Sequence, residues 1–371
     1  MITPYDDFPI HQTSEPVAHP VSGDPNQYDR YFFNGYTADG STFFAAAMGH
    51  YPNRGIIDAA FSVVGDGVQR SVFASGRMPL DRSTAVGPIS VDVLEPMRRL
   101  RVAVGPNDFG IEASLTFEAR SAVIEEPRNT VTAGTRKWMD STRLTQWGSW
   151  SGDLRLDGQP VRLDGPVYGV RDRSWGQRGV GVQLPTNFEL QVPQLFWLWA
   201  PLNFASFCTH LALFEYADGR RWLEQGLIVP VLEPGAPTWG GDADIDYLNH
   251  VGYDISWMAG TRQAAGARLS LDSRRNGPQA IELEPLLTFR MRGIGYTHPE
   301  WGHGSLHGQL EVGGESLDVD RIDPLDFSSI HIQSVVRATM GDEVGIGVLE
   351  QLFIGEHQPT GLTGLLDPAV R

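Results

Sequence analysis

Only one cysteine, Cys208, stands among 371 residues, so no internal disulfide can form and a disulfide-stapled scaffold is excluded. No stretch approaches the roughly 18 uninterrupted apolar residues of a membrane-spanning helix. The N-terminal MITPYDDFPIHQTSEPVAHP lacks a basic segment followed by an apolar one. A cytoplasmic protein with no membrane span is the expectation. Cationic residues are few: 29 Lys and Arg stand against 45 Asp and Glu, for a net charge of −16. A surface of that sign repels phosphate backbones, and no nucleic-acid partner is expected. Also missing are a GxGxxG loop between strand and helix, a Walker loop, a GxSxG elbow and a CxxC pair. Nothing asks for a nucleotide, a flavin or an iron–sulfur cluster, so no cofactor is expected.

What is present is an ordinary globular composition, 41% hydrophobic and 20% charged, with 42 Gly and 25 Pro to supply many turns. Residues 1–28 are rich in Pro, Asp and Ser without periodicity and read as an irregular arm. Short β-rich runs follow at once: YFFNGY (31–36), TFFAAAMGHY (42–51), IIDAAFSVV (56–64) and VQRSVFAS (68–75). LRLDGQPVRLDG contains Asp157-Gly158, a strong hairpin signal. The same grammar resumes in QLFWLWAPLNF, FCTHLALFEY and RWLEQGLIVPVLEP and runs on to VGIGVLEQLFIG. Many short strands and almost no helical pattern predict an all-β protein, and the length calls for two barrels or sandwiches. The first is expected over 29–185 and the second over 186–371. An echo between Val170–Gly176 and Tyr296–Gly302, which share Trp-Gly and set Asp172 against His298, points to duplication, with Trp175 and Trp301 as equivalents.

Two segments carry titratable groups among aromatics. In YGVRDRSWGQRG (168–179), strand alternation puts Arg171 and Arg173 on one face and Asp172 on the other. An aspartate turned into apolar surroundings is desolvated and its pKa rises, as a general acid requires. The competing reading is a structural Arg–Asp network. In the second segment, if extended, His303, Ser305 and His307 share a face beside Trp301, with His298 upstream. These groups would serve proton transfer. As zinc ligands, His303 and His307 would need His298, His331 or Glu350 from elsewhere, and no metal is expected. Trp147, Trp150, Phe196, Trp197 and Trp199 fall in predicted strands as core or as a pocket lining, and Tyr168 and Tyr296 flank the two segments.

At GVRDRSWG, HPEWGHGSLHGQL and GVLEQLFIG the sequence resembles the tandem lipocalin-like family of carotenoid 1,2-hydratase (hydroxyneurosporene synthase) and kievitone hydratase. The resemblance spans about residues 30–360 and implies two lipocalin-like antiparallel β-barrels packed together. Where the hydratases carry Tyr-x-Asp, this chain reads Val170-Arg171-Asp172, keeping the acid. Where they carry His-x-Trp it reads Gly148-Ser149-Trp150, keeping the Trp. The implied activity adds water to, or removes it from, a carbon–carbon double bond or tertiary alcohol of a hydrophobic, isoprenoid-like or aromatic small molecule. Asp172 is the expected acid, with Trp150, Trp175 or Trp301 presenting aromatic faces to a developing cation and His298 or His303 orienting water. Tyr168, Tyr296, Trp197 and Trp199 are the expected remaining substrate contacts. An isomerase or cyclase would use the same pocket, and a non-catalytic carrier would need no Asp172.

Overall fold

The computed structural model describes residues 2–133, 135–181, 194–240 and 243–370. The expected boundary at 185/186 lies outside the described residues. Residues 2–26 are irregular apart from a 3-10 turn at Pro4–Asp7. Every other long element is a β-strand, and among the described residues no helix is long and apolar enough to cross a membrane.

The main strands of the first sheet are β1 (Gln27–Thr37), β2 (Phe43–Tyr51), β3 (Ile56–Gly65), β4 (Val68–Arg77), β5 (Ile89–Glu95), β6 (Arg99–Val104), β7 (Ile111–Ala119), β8 (Arg136–Leu156) and β9 (Val167–Gln177). The second sheet contains β10 (Leu195–Trp199), β11 (Phe207–Glu215), β12 (Arg221–Pro230), β13 (His250–Trp257), β14 (Ala264–Ser273) and β15 (Gly277–Arg290). After β16 (Leu310–Asp318) it ends with β17 (Ile332–Met340) and β18 (Glu343–Ile354). Both sheets are antiparallel and curl on the same plan, which makes the protein a pair of tandem lipocalin-like barrels. The first strand pairs with both the second and the last: β1 with β2 and β9, β10 with β11 and β18. Strand β16 departs from this division, since it leaves the second half of the chain to pair with β4 at the edge of the first sheet.

Local sequence explains the connections. Asp157 and Gly158 both adopt left-handed φ, 49° and 77°, the two-residue hairpin turn their dipeptide favours. Gly169 is required by close approach: a Cβ there would lie 2.1 Å from the Asn34 carbonyl oxygen and 2.5 Å from Trp150 Nε1. Alternation then sorts side chains into three layers. Phe33, Phe44, Phe61, Phe117 and Trp150 fill the first barrel. Phe196, Leu213, Val336 and Phe353 fill the second. Between them, the outward faces of both barrels meet through Phe32, Tyr36, Trp147, Trp197, Trp199 and Phe289. Each large side chain buried in these layers contributes about 1.5–3 kcal/mol.

The duplication is therefore topological, and its sequence echo was misplaced. Trp175 lies in β9, whose counterpart is β18, whereas Trp301 lies in a turn-rich segment between β15 and β16. That segment is not extended, because Gly295, Thr297, Gly304 and Gly308 take left-handed φ of 92°, 54°, 70° and 86°. The expected shared face of His303, Ser305 and His307 does not form.

Candidate active site between the barrels

Strand β9 runs with Tyr168, Val170 and Asp172 turned toward the second barrel and Arg171 and Arg173 turned away, as alternation requires. Asp172 stands opposite Phe32 of β1 and Thr145 of β8. Its carboxyl is half-buried and, among the described residues, accepts no hydrogen bond. Burial pushes its pKa up to about 6; the Arg143 guanidinium pulls it down, while the charges of Glu126 and Glu350 oppose that pull.

Glu350 on β18 occupies the matching strand of the second barrel and is tethered on every side. It accepts from Trp197 Nε1 at 2.8 Å and Gln333 Nε2 at 2.6 Å, and His331 Nε2 lies 2.8 Å away. Burial alone would raise its pKa, but the His331 contact and the other donors hold it below the ordinary value. His331 Nδ1 is buried without a hydrogen-bond partner among the described residues, and the ring meets Tyr296 edge-on at 4.7 Å. Gln333 continues the network across the barrel boundary, accepting from Asn34 Nδ2 at 3.0 Å.

A third carboxylate, Glu126, is 4% exposed. It accepts from Thr145 Oγ1 at 2.7 Å, Trp199 Nε1 at 3.2 Å and Arg143 Nη1 at 3.3 Å. Burial would raise its pKa, but the Arg143 charge and the Thr145 and Trp199 donors lower it instead. His210, 3.6 Å from Glu126, is held down to about 4 by burial and is neutral. Arg143 bridges the groups, lying over the Trp197 ring at 5.1 Å. Farther along the layer, the Tyr296 ring lies between the guanidiniums of Arg30, at 4.7 Å, and Arg178, at 5.8 Å.

The residues named from sequence divide accordingly. Asp172, Tyr296, Trp197, Trp199, Tyr168 and Trp301 belong to this layer, Tyr168 stacked under Arg120 at 4.5 Å. Trp150 does not. It is 7% exposed inside the first barrel, on the opposite side of the sheet from Asp172, donating to the Asn34 carbonyl at 2.8 Å. Trp175 also points away, at the end of that barrel. Trp301 stacks on Phe73 at 5.7 Å and on His307 at 4.1 Å. His298 Nδ1 accepts from the backbone of Glu300 and Trp301 at 3.1 and 2.8 Å, while its Nε2, 3.7 Å from Glu315, is buried and makes no hydrogen bond among the described residues. His303 has both nitrogens engaged, Nδ1 by Arg30 and Nε2 by the Ile294 carbonyl, each at 2.8 Å. Burial and the charge of Arg30 hold it neutral, well below the ordinary histidine pKa. The His303 imidazole therefore has no nitrogen free to orient water. Among the described residues no three His, Cys, Asp or Glu side chains are grouped to hold a metal ion. Sequence reasoning passed over Arg143 and Glu126 and considered Glu350 and His331 only as metal ligands. The signal for Glu350 was a lone carboxylate inside the apolar alternation of GVLEQLFIG.

A family of unknown function, DUF8625, matches residues 2–363. No curated protein matches the sequence. Among solved structures, a Nitrosomonas europaea protein named AttH is similar at 13% identity and a TM-score of 0.52, over 88% of this chain and 92% of that one. Kievitone hydratase from Nectria haematococca is similar at 11% identity and a TM-score of 0.50, over 87% of this chain and 88% of that one. At such identities the likeness is one of fold.

Proposed function

We propose that this chain, which belongs to the DUF8625 family of unknown function, is a hydratase or dehydratase acting on a hydrophobic small molecule held between the two barrels. The observation that carries the reading is Asp172: a carboxyl with no hydrogen-bond donor among the described residues, half-buried in the interbarrel layer, its pKa pushed up to about 6. A carboxyl in that state serves as a proton donor near neutral pH. In the dehydrating direction Asp172 gives its proton to the departing hydroxyl oxygen, the carbon–oxygen bond breaks, and water leaves. His331, oriented by Glu350, takes the proton from the adjacent carbon as the double bond forms, and hydration is the reverse. Trp197 and Tyr296 offer ring faces to positive charge developing on carbon, each worth about 0.5–2 kcal/mol. The fold shared with kievitone hydratase agrees with this class of reaction. Sequence alone assigned His298 or His303 to orient water, whereas His331 in this reading moves the proton on carbon.

The test is incubation of the protein with a panel of hydrophobic tertiary alcohols and alkenes in heavy-oxygen water, followed by mass spectrometry. Gain or loss of labelled water that disappears in Asp172→Asn supports the reading. Turnover without oxygen exchange identifies an isomerase or cyclase, and binding without turnover identifies a carrier.

A further inference from the structure

The face of β9 that points away from Asp172 is not used by this chemistry. Arg171, Arg173 and Trp175 emerge at the end of the first barrel beside the turn after β5 and border a cleft of about 450 Å³. Tyr31, Met97, Leu100 and Leu144 form its apolar walls, and Asp29 lines it beside Arg173. That volume lies in the range of small-molecule sites, roughly 300–1,000 Å³. Trp175 stands at the rim and is 41% exposed.

Arg171 is 3% exposed, yet no carboxylate among the described residues lies within ion-pair distance of it. Its guanidinium donates from Nε to Gln146 Oε1 at 2.8 Å and from Nη2 to Met97 Sδ at 3.4 Å, both neutral acceptors, over the Phe117 ring at 6.0 Å. Nη1 makes no hydrogen bond among the described residues. Arg173, stacked on Tyr31 at 3.9 Å, is neutralised by Asp29. His50, close to Asp29, is kept below its ordinary pKa by burial and adds no charge at neutral pH. Among the described residues the cleft therefore holds one uncompensated positive charge. Burial and the neighbouring Arg173 push Arg171 down to about 10, which still leaves it cationic at neutral pH. Buried guanidiniums are ordinarily paired, because desolvation of a lone charge is costly.

We infer that this cleft binds a small apolar carboxylic acid, with the carboxylate on Arg171 Nη1 and the hydrocarbon or aromatic body along Leu100, Met97 and Trp175. The site is separate from the interbarrel layer and does not depend on the activity proposed for it.

Titration calorimetry of the full chain tests this with decanoate and naphthalene acetate, and with decanol as the uncharged control. One acid per chain is expected to bind, with decanol at least about tenfold weaker. Arg171→Gln should weaken the acid by about tenfold or more. Trp175→Glu, a change at an exposed position that leaves the barrel interior intact, should do the same with no change in Tm. Asp172→Asn should leave acid affinity unaltered. Failure of both acids to bind, equal affinity for acid and alcohol, or unaltered acid affinity in Arg171→Gln and Trp175→Glu would each overturn the inference. Loss of acid binding in Asp172→Asn alone would place the acid between the barrels instead and overturn it as well.

Discussion

Asp172 and Glu350 sit in matching strands, each the last of its barrel and each facing the same interbarrel layer. Glu350 is the more enclosed by solvent exposure, yet its pKa is lowered, while that of Asp172 is raised to about 6. The difference lies in donors. Trp197, His331 and Gln333 all point at Glu350, and none points at Asp172. Burial opposes charge in both cases, and hydrogen bonds decide whether that opposition prevails. One layer thereby acquires a carboxyl suited to giving a proton and a carboxylate suited to holding an imidazole.

The sharpest way to break this comparison is Asp172→Asn. Turnover should fall by about 10² to 10⁴, the usual contribution of a general acid, while Tm stays near that of the parent because no donor is stranded. A large loss of Tm with turnover preserved would make Asp172 a structural residue. Glu350→Gln should do the opposite to stability. It removes the charge from three buried donors, and a loss of about 2–4 kcal/mol is expected in denaturant unfolding.

The two carboxyls should also respond to pH with opposite sign. Asp172 has a folded pKa above the unfolded value of about 3.9, so its favourable contribution is complete below about pH 4 and is lost as pH rises through about 6. Glu350 has a lowered folded pKa, so its contribution is present above the unfolded value of about 4.3 and is lost as pH falls. Asp58, also raised to about 6 by burial, titrates in the same window as Asp172. The Asp172 part is therefore read from the difference between parent and Asp172→Asn unfolding curves measured from pH 4 to pH 7. If that difference is flat, the raised pKa is refuted.

A smaller effect is expected at Arg143, whose charge pulls the pKa of Asp172 down. Arg143→Gln should move the alkaline limb of the pH–rate profile upward, and a downward move would contradict the assigned electrostatics. The smallest effect belongs to Trp150→Phe. That change removes one hydrogen bond to the Asn34 carbonyl inside the first barrel, costing about 1 kcal/mol, and should leave turnover unchanged.

Much of the architecture was legible because it rests on local periodicity. The strands around YFFNGY and TFFAAAMGHY, the Asp157-Gly158 hairpin and the all-β class follow from alternation and turn chemistry. The error at His298, His303 and His307 came from extending that alternation into a segment whose backbone turns at Gly295, Thr297 and Gly304. Trp150 enters the expected site through the resemblance at Gly148-Ser149-Trp150. Gly169 lets its indole reach the Asn34 carbonyl, which belongs to the first barrel.

The sequence by itself determined that Asp172 faces away from Arg171 and Arg173, because a strand repeats every two residues whatever surrounds it. It also determined that Glu350 interrupts an apolar strand. Only the tertiary structure decided what each carboxyl would meet. The donors to Glu350 come from β10, β17 and the approach to β17, and the guanidinium whose charge acts most on Asp172 comes from β8. Each of these partners belongs to the same barrel as its carboxyl, Gln333 directly opposite Glu350, and what the meeting of the two outer faces adds is the burial of both carboxyls. Local periodicity carries no information about how strands pair or barrels meet, and the desolvation and hydrogen bonding that set the two pKa values arise from both.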